Sequence, residues 1–100
     1  NHQNKNVKLK ELTVDPGQRL SMQRHRDRNE FWFVSEGIAS VYTVNVSSDA
    51  ELLGTYTQHQ SLYISTNEWH QLANETDQPL KLIEIQYGKN CVEDDIERCT

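Results

Sequence analysis

Short stretches of alternating apolar and polar residues recur along the whole chain, with polar turns between them. The stretches are rich in aromatic and β-branched side chains, which is typical of β-strands rather than helices. The predicted strands are 7–14, 19–25, 30–35, 38–46, 52–57, 61–64, 69–73 and 80–87. We expect frayed residues at 1–6 and at most one helical turn, over 93–98. Many short strands separated by turns predict an antiparallel all-β sandwich or barrel.

The alternation also predicts which side chains face inward. In the third strand Glu30 shares a face with Trp32 and Val34, and a buried carboxylate is costly unless a cation offsets its charge. Glu36 and Gly37 then form a tight turn, which predicts a β-hairpin between the third and fourth strands.

The last strand leaves two arrangements open. Either Glu84 and Gln86 line an internal pocket, or they face solvent and the intervening isoleucines fill the core. We favour the pocket. The remaining aromatic residues are simplest to place in the core, and the alternative is a second apolar layer or a dimer contact made by Phe31, Phe33 and Tyr87.

Composition narrows the class of protein. The 100 residues make one domain, and the net charge of −5 argues against nucleic acid or an anionic membrane as the main partner. Cys91 and Cys99 lack metal-site spacing, so we expect reduced thiols and a cytoplasmic protein. The chain starts at Asn1 rather than Met, so the sequence leaves open whether another domain precedes it.

Nitrogen and oxygen ligands converge around the second and third strands. Gln23 and His25 point to one face, a short polar turn follows, Glu30 opens the next strand, and His70 lies downstream. Taken singly, each residue also suits an ordinary surface or core position. Together they suit a divalent ion, zinc first, with manganese, cobalt, nickel or iron as alternatives, and would leave a coordination position open for catalysis.

Two sequence motifs resemble those of the cupin superfamily. The first is matched, with a glutamine in place of its first histidine, at Gly17, Gln23, His25, Glu30 and Gly37. The second is matched at His70 and Asn74, whereas Ser65 and Asn67 replace its proline and glycine. The resemblance implies a cupin-type double-stranded β-helix, also called a jelly-roll barrel.

Residues 7–98 are most similar to one cupin branch, the type II phosphomannose isomerase domain. The specific features are Gln23-x-His25, Arg28-x-Glu30-x-Trp32 and Glu93-Asp94-Asp95-Ile96-x-Arg98. The resemblance implies a metal-dependent, reversible isomerisation of mannose 6-phosphate and fructose 6-phosphate, with proton transfer between C1 and C2. In bacteria this domain is often fused behind a GDP-mannose pyrophosphorylase domain, which implies a place in GDP-mannose biosynthesis.

Site residues follow from the resemblance. It implies metal ligands at Gln23, His25, Glu30 and His70, catalytic residues at Arg28 and Glu84, and substrate-binding residues at Ser21, Gln86, Lys89 and Arg98. Arg98 could instead pair with a neighbouring aspartate, and Lys89 could simply be solvated. His59 falls in a polar loop and is expected at the surface.

Two further functions stay open. A non-catalytic sugar-phosphate-binding or regulatory cupin is favoured by Phe31, which stands where the family commonly has a histidine, and by the missing Pro-x-Gly. A different metal cupin, such as a dioxygenase, is disfavoured by Gln23 and the acidic C-terminal motif. The partners expected are a small sugar phosphate and a second copy of the chain.

Overall fold

Nine β-strands make up the regular structure of residues 6–99, the part of the chain that this computed structural model describes. They are β1 Val7–Val14, β2 Gln23–Arg24, β3 Arg28–Glu36, β4 Ala39–Val44, β5 Ala50–Tyr56, β6 Ser61–Ile64, β7 Gln71–Ala73, β8 Leu80–Gly88 and β9 Glu97–Arg98. The fraying predicted for 1–6 lies outside the described residues, apart from Asn6, whose carbonyl oxygen accepts a hydrogen bond from the Gly88 amide. The prediction of an all-β protein is confirmed.

The strands form two layers. One is a four-stranded antiparallel sheet in the order β1-β8-β3-β6, and the other is a three-stranded sheet in the order β5-β4-β7. A short pair, β2 with β9, extends the second layer, because the Gln23 and His70 backbones exchange hydrogen bonds of 3.0 and 2.9 Å. Through this pairing, the segment that contains β2 lies next to His70 and the start of β7.

Apolar side chains from both layers meet in the middle. Their alternation along β3 and β8 turns every second residue inward, and each of these residues is almost fully buried. The core consists of Val14, Trp32, Val34, Ala39, Val41, Ile64, Leu72, Leu80 and Leu82. Beside it, buried polar residues occupy one end of the space between the layers.

The alternation also settles the two arrangements of the last strand. Glu84 and Gln86 are buried between the layers, whereas Ile83 and Ile85 lie half-buried on the outer face of the four-stranded sheet. Phe31 and Phe33 of β3 lie half-buried on the same outer face, next to Ile85 and Ile83. The simpler prediction that these two aromatic residues fill the core is therefore wrong.

The hairpin predicted around Gly37 is also wrong. β3 pairs with β8 on one edge and with β6 on the other, so no edge is left for β4. The chain instead turns a corner at Gly37, where φ is +89°, and β4 enters the second layer between β5 and β7.

The helical turn predicted over 93–98 is absent. A turn leads into β9, which pairs with β2, and the Asp95 carboxylate accepts hydrogen bonds of 2.9 Å from the amides of Arg26 and Asp27. Six residues gain few bonds as a helix, whereas pairing with the second strand satisfies their backbone groups. This C-terminal segment therefore packs across the open end of the barrel.

Both cysteines are free thiols, Cys91 buried and Cys99 exposed, as predicted. Within residues 6–99 we find no helical segment with the length and apolar character needed to cross a bilayer.

Candidate functional site

A cavity of about 200 Å³ opens between the layers at the polar end of the barrel. Charged and amide side chains line one side of it, and apolar residues line the other. Of the site residues predicted from sequence, the cavity is lined by Ser21, Gln23, Arg28, Glu30, His70, Glu84, Gln86 and Arg98. A small cleft with convergent polar groups is the usual setting of a ligand site.

Two imidazoles and one carboxylate meet beside the cavity, which is lined by Glu30 and His70 but not by His25. Nε2 of His25 lies 3.2 Å from Oε2 of Glu30, and Nε2 of His70 lies 3.8 Å from Oε1 of the same carboxylate. All three side chains are buried. Glu30 lies in β3, His25 directly follows β2, and His70 directly precedes β7, so three separate segments supply the cluster.

Backbone carbonyls fix the orientation of both histidines. Nδ1 of His25 donates to the Asp95 carbonyl oxygen at 2.7 Å, and Nδ1 of His70 donates to the Glu68 carbonyl oxygen at 2.9 Å. A carbonyl can only accept, so each Nδ1 carries a proton and each Nε2 faces Glu30. The C-terminal segment thus orients a histidine that lies far from it in sequence.

The charges of the cluster match those of a ligand set. Burial raises the pKa of Glu30, but contacts with His25 and Glu84 and the nearby His70 outweigh it and hold this pKa well below its usual range. Burial lowers the pKa of His70. One ionised carboxylate therefore faces an imidazole that favours its neutral form, which is the form that binds metal.

These donors fit a divalent metal ion. The ligand atoms of His25, Glu30 and His70 all lie within 4.8 Å of one another, and imidazole with carboxylate suits zinc, manganese, iron, cobalt and nickel. Gln23 lines the same cavity and is paired through its backbone with His70. Its Nε2 donates to the Ser21 hydroxyl at 3.2 Å, and its side-chain oxygen is the atom that could join the set.

Arg28, the first residue of β3, also contacts the cluster. Its guanidinium contacts Oε2 of Glu30 at 3.0 Å and donates from Nη2 to Nε2 of His25 at 3.1 Å. Nη1 reaches the Val92 carbonyl at 3.4 Å. The side chain is 7% exposed, so Arg28 is a buried cation of the site and the alternative of a solvated turn arginine does not hold.

A second carboxyl group lies beside Glu30. The Trp32 indole Nε1 donates to Oε1 of Glu30 at 2.9 Å and to Oε2 of Glu84 at 3.1 Å. Gln86 Nε2 donates to the other Glu84 oxygen at 3.0 Å. Burial, followed by the hydrogen bond and charge of Glu30, raises the pKa of Glu84 to about 8, so the protonated form of Glu84 is favoured.

Gln86 leaves one acceptor unused. Its Oε1 is the one buried side-chain nitrogen or oxygen atom without a hydrogen-bond partner among residues 6–99. A buried carbonyl oxygen without a partner is unusual, and here the residue lines the cavity. A hydroxyl group bound in the cavity would satisfy it.

Lys10 is a cavity residue that the sequence reasoning missed. Its side chain faces inward from β1 and pairs with Glu93 of the C-terminal segment at 2.8 Å. The sequence could have indicated this, because Lys10 lies on the same face of β1 as Leu12 and Val14, which point towards the core. Lys89, by contrast, is exposed and is not brought to the cavity, so its predicted role in substrate binding loses its basis.

The structure explains why the chain can differ from the cupin pattern at two positions, Phe31 and Asn67. Phe31 faces outward and contacts the Tyr63 ring at 5.0 Å between centroids, so a histidine at this position would not reach the cavity. Asn67 adopts φ of +63°, the left-handed conformation that a glycine would supply and that asparagine tolerates. Neither departure removes a group from the site.

Solved structures with the same fold come from several bacterial proteins. A Klebsiella pneumoniae protein with a double-stranded β-helix domain superposes with a TM-score of 0.81 at 13% identity, covering 99% of this chain and 79% of that one. A sugar phosphate isomerase of the cupin superfamily from Silicibacter pomeroyi superposes with a TM-score of 0.66 at 18% identity, covering 82% and 50%. These likenesses show the fold.

The chain has the double-stranded β-helix fold, and the His/Glu/His cluster lies inside it. The predicted fold is confirmed. A family model described as "Mannose-6-phosphate isomerase C-terminal" matches residues 1–100, and the chain belongs to this family, which confirms the resemblance read from the motifs.

Curated relatives are considerably longer than this chain. It is 44% identical over 90 residues to the alginate biosynthesis protein AlgA of Pseudomonas aeruginosa and 40% identical to a mannose-1-phosphate guanylyltransferase of Escherichia coli. Each match covers 90% of this chain and 18% of the relative. The chain thus corresponds to about a fifth of those proteins.

Proposed function

We propose that this domain interconverts mannose 6-phosphate and fructose 6-phosphate. The observation that carries the proposal is the arrangement of one cavity, in which the His25, Glu30 and His70 cluster adjoins a second carboxyl group, Glu84. Family membership supplies the reaction class. An aldose–ketose isomerisation needs these two elements, a site that polarises a carbonyl and a group that moves a proton between adjacent carbons.

A divalent metal ion, zinc in the first instance, would be held by Gln23, His25, Glu30 and His70. When bound it would polarise the sugar carbonyl and lower the barrier to forming an enediol. The chain itself supplies the ligand geometry, because two backbone carbonyls hold both imidazoles with Nε2 facing Glu30. Arg28 lies beside the same carboxylate and can stabilise negative charge that develops on the substrate oxygens.

Glu84 is the residue that we assign to proton transfer between C1 and C2. Its carboxyl lines the cavity, stands outside the ligand set, and is held in one orientation by Trp32 and Gln86. The free Oε1 of Gln86 can accept a hydrogen bond from a sugar hydroxyl. These three residues would therefore position the reacting carbons against the carboxyl group.

The phosphate group is assigned to the mouth of the cavity. Lys10 and Arg98 line it from opposite ends of the chain, and the Ser21 hydroxyl lies between the layers nearby. Ion pairing with Glu93 does not prevent this role for Lys10, because both side chains are partly exposed and can rearrange. Two cations and a hydroxyl donor suit a phosphate monoester.

The test is turnover of fructose 6-phosphate by the metal-loaded chain, followed by detection of mannose 6-phosphate. We expect wild-type protein to be active and the Glu84→Gln variant to lose at least about a hundredfold in kcat, the scale of a general acid–base group. The same variant should keep its metal content and its affinity for the sugar phosphate. Lys89→Gln, outside the cavity, is the matched control and should turn over like wild type.

Absence of turnover with zinc, manganese, cobalt or nickel would overturn the proposal. If binding of the sugar phosphate persisted, the domain would be a non-catalytic sugar-phosphate-binding cupin. The reasons for that alternative have weakened, because Phe31 faces away from the cavity and Asn67 takes the conformation of the missing glycine. We also assign the domain to the cytoplasm, in keeping with its free thiols.

A further inference from the structure

The turn between β2 and β3 joins two buried side chains of the cluster. His25 directly precedes the turn and Arg28 follows it, and Nη2 of Arg28 lies 3.1 Å from Nε2 of His25. The two residues of the turn itself, Arg26 and Asp27, belong to neither strand, and Arg26 is exposed. The positions of His25 and Arg28 therefore depend on what holds this turn in place.

One residue of the C-terminal segment, Asp95, holds the turn through three hydrogen bonds. Its Oδ1 accepts from the Arg26 amide at 2.9 Å, and its Oδ2 accepts from the Asp27 amide at 2.9 Å. Its backbone carbonyl accepts from Nδ1 of His25 at 2.7 Å. Three consecutive residues are thus bound to a single residue that lies 68 to 70 positions further along the chain.

The pattern of these bonds calls for a carboxylate at position 95. Any residue could supply the backbone carbonyl, but two separate side-chain oxygens are needed to accept from two consecutive amides. An asparagine offers one such oxygen, and an alanine offers none. Asp95 is not among the residues that line the cavity, so a role in direct contact with a bound sugar has no structural basis.

We propose that Asp95 is a positioning residue for the metal ligand His25. Its carboxylate fixes the turn, and its carbonyl then holds Nδ1 of His25 so that Nε2 faces Glu30. This rests on the proposed function in so far as the cluster binds a metal ion. A histidine ligand needs a partner at its other ring nitrogen, and loss of such support typically weakens metal affinity by about 10- to 100-fold. The same segment also supports Arg28, because the Val92 carbonyl accepts from Nη1 of Arg28 at 3.4 Å and from the Asp95 amide at 3.3 Å.

The first measurement is the affinity for Co²⁺, determined by isothermal titration. We expect Asp95→Ala to bind Co²⁺ about 10- to 100-fold more weakly than wild type. Asp95→Asn keeps one of the two acceptor oxygens and should lose less. Asp94→Ala removes the same negative charge from the neighbouring, exposed residue and should bind like wild type. Circular dichroism and thermal unfolding establish that each variant is folded, and Asp95→Asn carries the test if Asp95→Ala is not.

The second measurement needs no metal and separates positioning from general stability. NMR of the histidine ring nitrogens shows which nitrogen carries the proton. We expect His25 and His70 of the wild type to be protonated on Nδ1. In Asp95→Ala the ring signals of His25 should shift or split, whereas those of His70 should stay in place because the Glu68 carbonyl still holds that ring.

Two outcomes would overturn the role of Asp95. The first is an Asp95→Ala variant with the Co²⁺ affinity and the His25 ring signals of wild type. The second is an equal change at His25 and His70, because Asp95 would then act on the stability of the whole barrel. If wild type bound no Co²⁺, the metal site of the proposed function would fail, and the His25 signals would still decide the role of Asp95.

Discussion

Two nitrogens of the Arg28 guanidinium, Nε and Nη2, both lie 3.0 Å from the same oxygen of Glu30. Nη2 also donates to Nε2 of His25 at 3.1 Å. These are the carboxylate oxygen and the imidazole lone pair that a metal ion would use. Arg28 therefore offsets the buried charge of Glu30 and, in this arrangement, competes with a divalent cation for the same donor atoms.

Arg28→Gln is expected to increase the affinity for a divalent cation by about tenfold, equivalent to about 1.4 kcal/mol. The glutamine cannot neutralise Glu30, so the ligand set keeps a full negative charge for the cation. Isothermal titration with Co²⁺ or Zn²⁺ measures the change. Arg24→Gln is the control, since Arg24 pairs with Glu97 outside the cluster. Unchanged or weaker binding by Arg28→Gln would show that the two cations do not compete.

Metal binding should stabilise the fold through the histidines of the cluster. A cation at a hundred times its dissociation constant is expected to raise the free energy of unfolding by about 2.7 kcal/mol, since it binds the folded state. His70→Ala should lose this effect, and a chelator should reverse it in wild type. His59→Ala, at an exposed loop position, should respond like wild type. Urea unfolding with and without metal makes the comparison.

A response of His70→Ala equal to that of wild type would place the metal elsewhere. The control matters because histidines bind divalent cations weakly wherever they are exposed. His59 stacks on Phe33 at 5.9 Å between ring centroids, on the opposite side of the sheet from the cluster.

The cluster itself could be predicted from sequence because strand alternation fixes which side chains share a face. Glu30 belongs with Trp32 and Val34, and both are apolar enough to show that this face is inward. His70 needed more, since only the fold brings β7 beside the segment that carries Gln23. The family motifs supplied that link.

Other features depended on contacts distant in sequence. Lys10 was missed because the two halves of β1 conflict: Val7 and Leu9 suggest one inward apolar face, and Leu12 and Val14 suggest the other. Pairing with β8 shows that Val7 and Leu9 lie outside. The hairpin prediction failed because a tight turn does not reveal that both edges of β3 are already paired. The orientation of His25 by the Asp95 carbonyl could not be foreseen, because a backbone contact leaves no mark on the sequence.

Trp32 connects the two carboxyl groups through one N–H, which makes it a positioning residue. Trp32→Phe keeps most of the buried ring but leaves an oxygen of Glu30 and an oxygen of Glu84 without their shared donor. We expect a loss of about 1–3 kcal/mol in the free energy of unfolding, the usual cost of an unsatisfied buried polar group. Urea denaturation measures it. Trp69→Phe, whose ring is stacked by Arg24 at a half-buried position, should cost less.

A loss in Trp32→Phe no larger than that in Trp69→Phe would mean that water or a rearranged side chain satisfies both carboxyls. Metal titration of the same variant adds a second measurement. Glu30 should bind the cation more weakly when its Oε1 is no longer held by the indole.

Gly37 and Gly17 test how the corner between the two layers is built. Both have positive φ, +89° and +77°, so alanine is strained at either position by about 1–2 kcal/mol. A Cβ at Gly37 would also collide with the Pro79 carbonyl oxygen and the Leu80 Cα, whereas a Cβ at Gly17 meets nothing within 4 Å. Gly37→Ala should therefore cost more than about 3 kcal/mol in the free energy of unfolding, and Gly17→Ala about 1–2 kcal/mol. Equal losses in urea denaturation would show that the backbone at 79–80 moves away, and that close packing does not hold the chain where it passes from one sheet to the other.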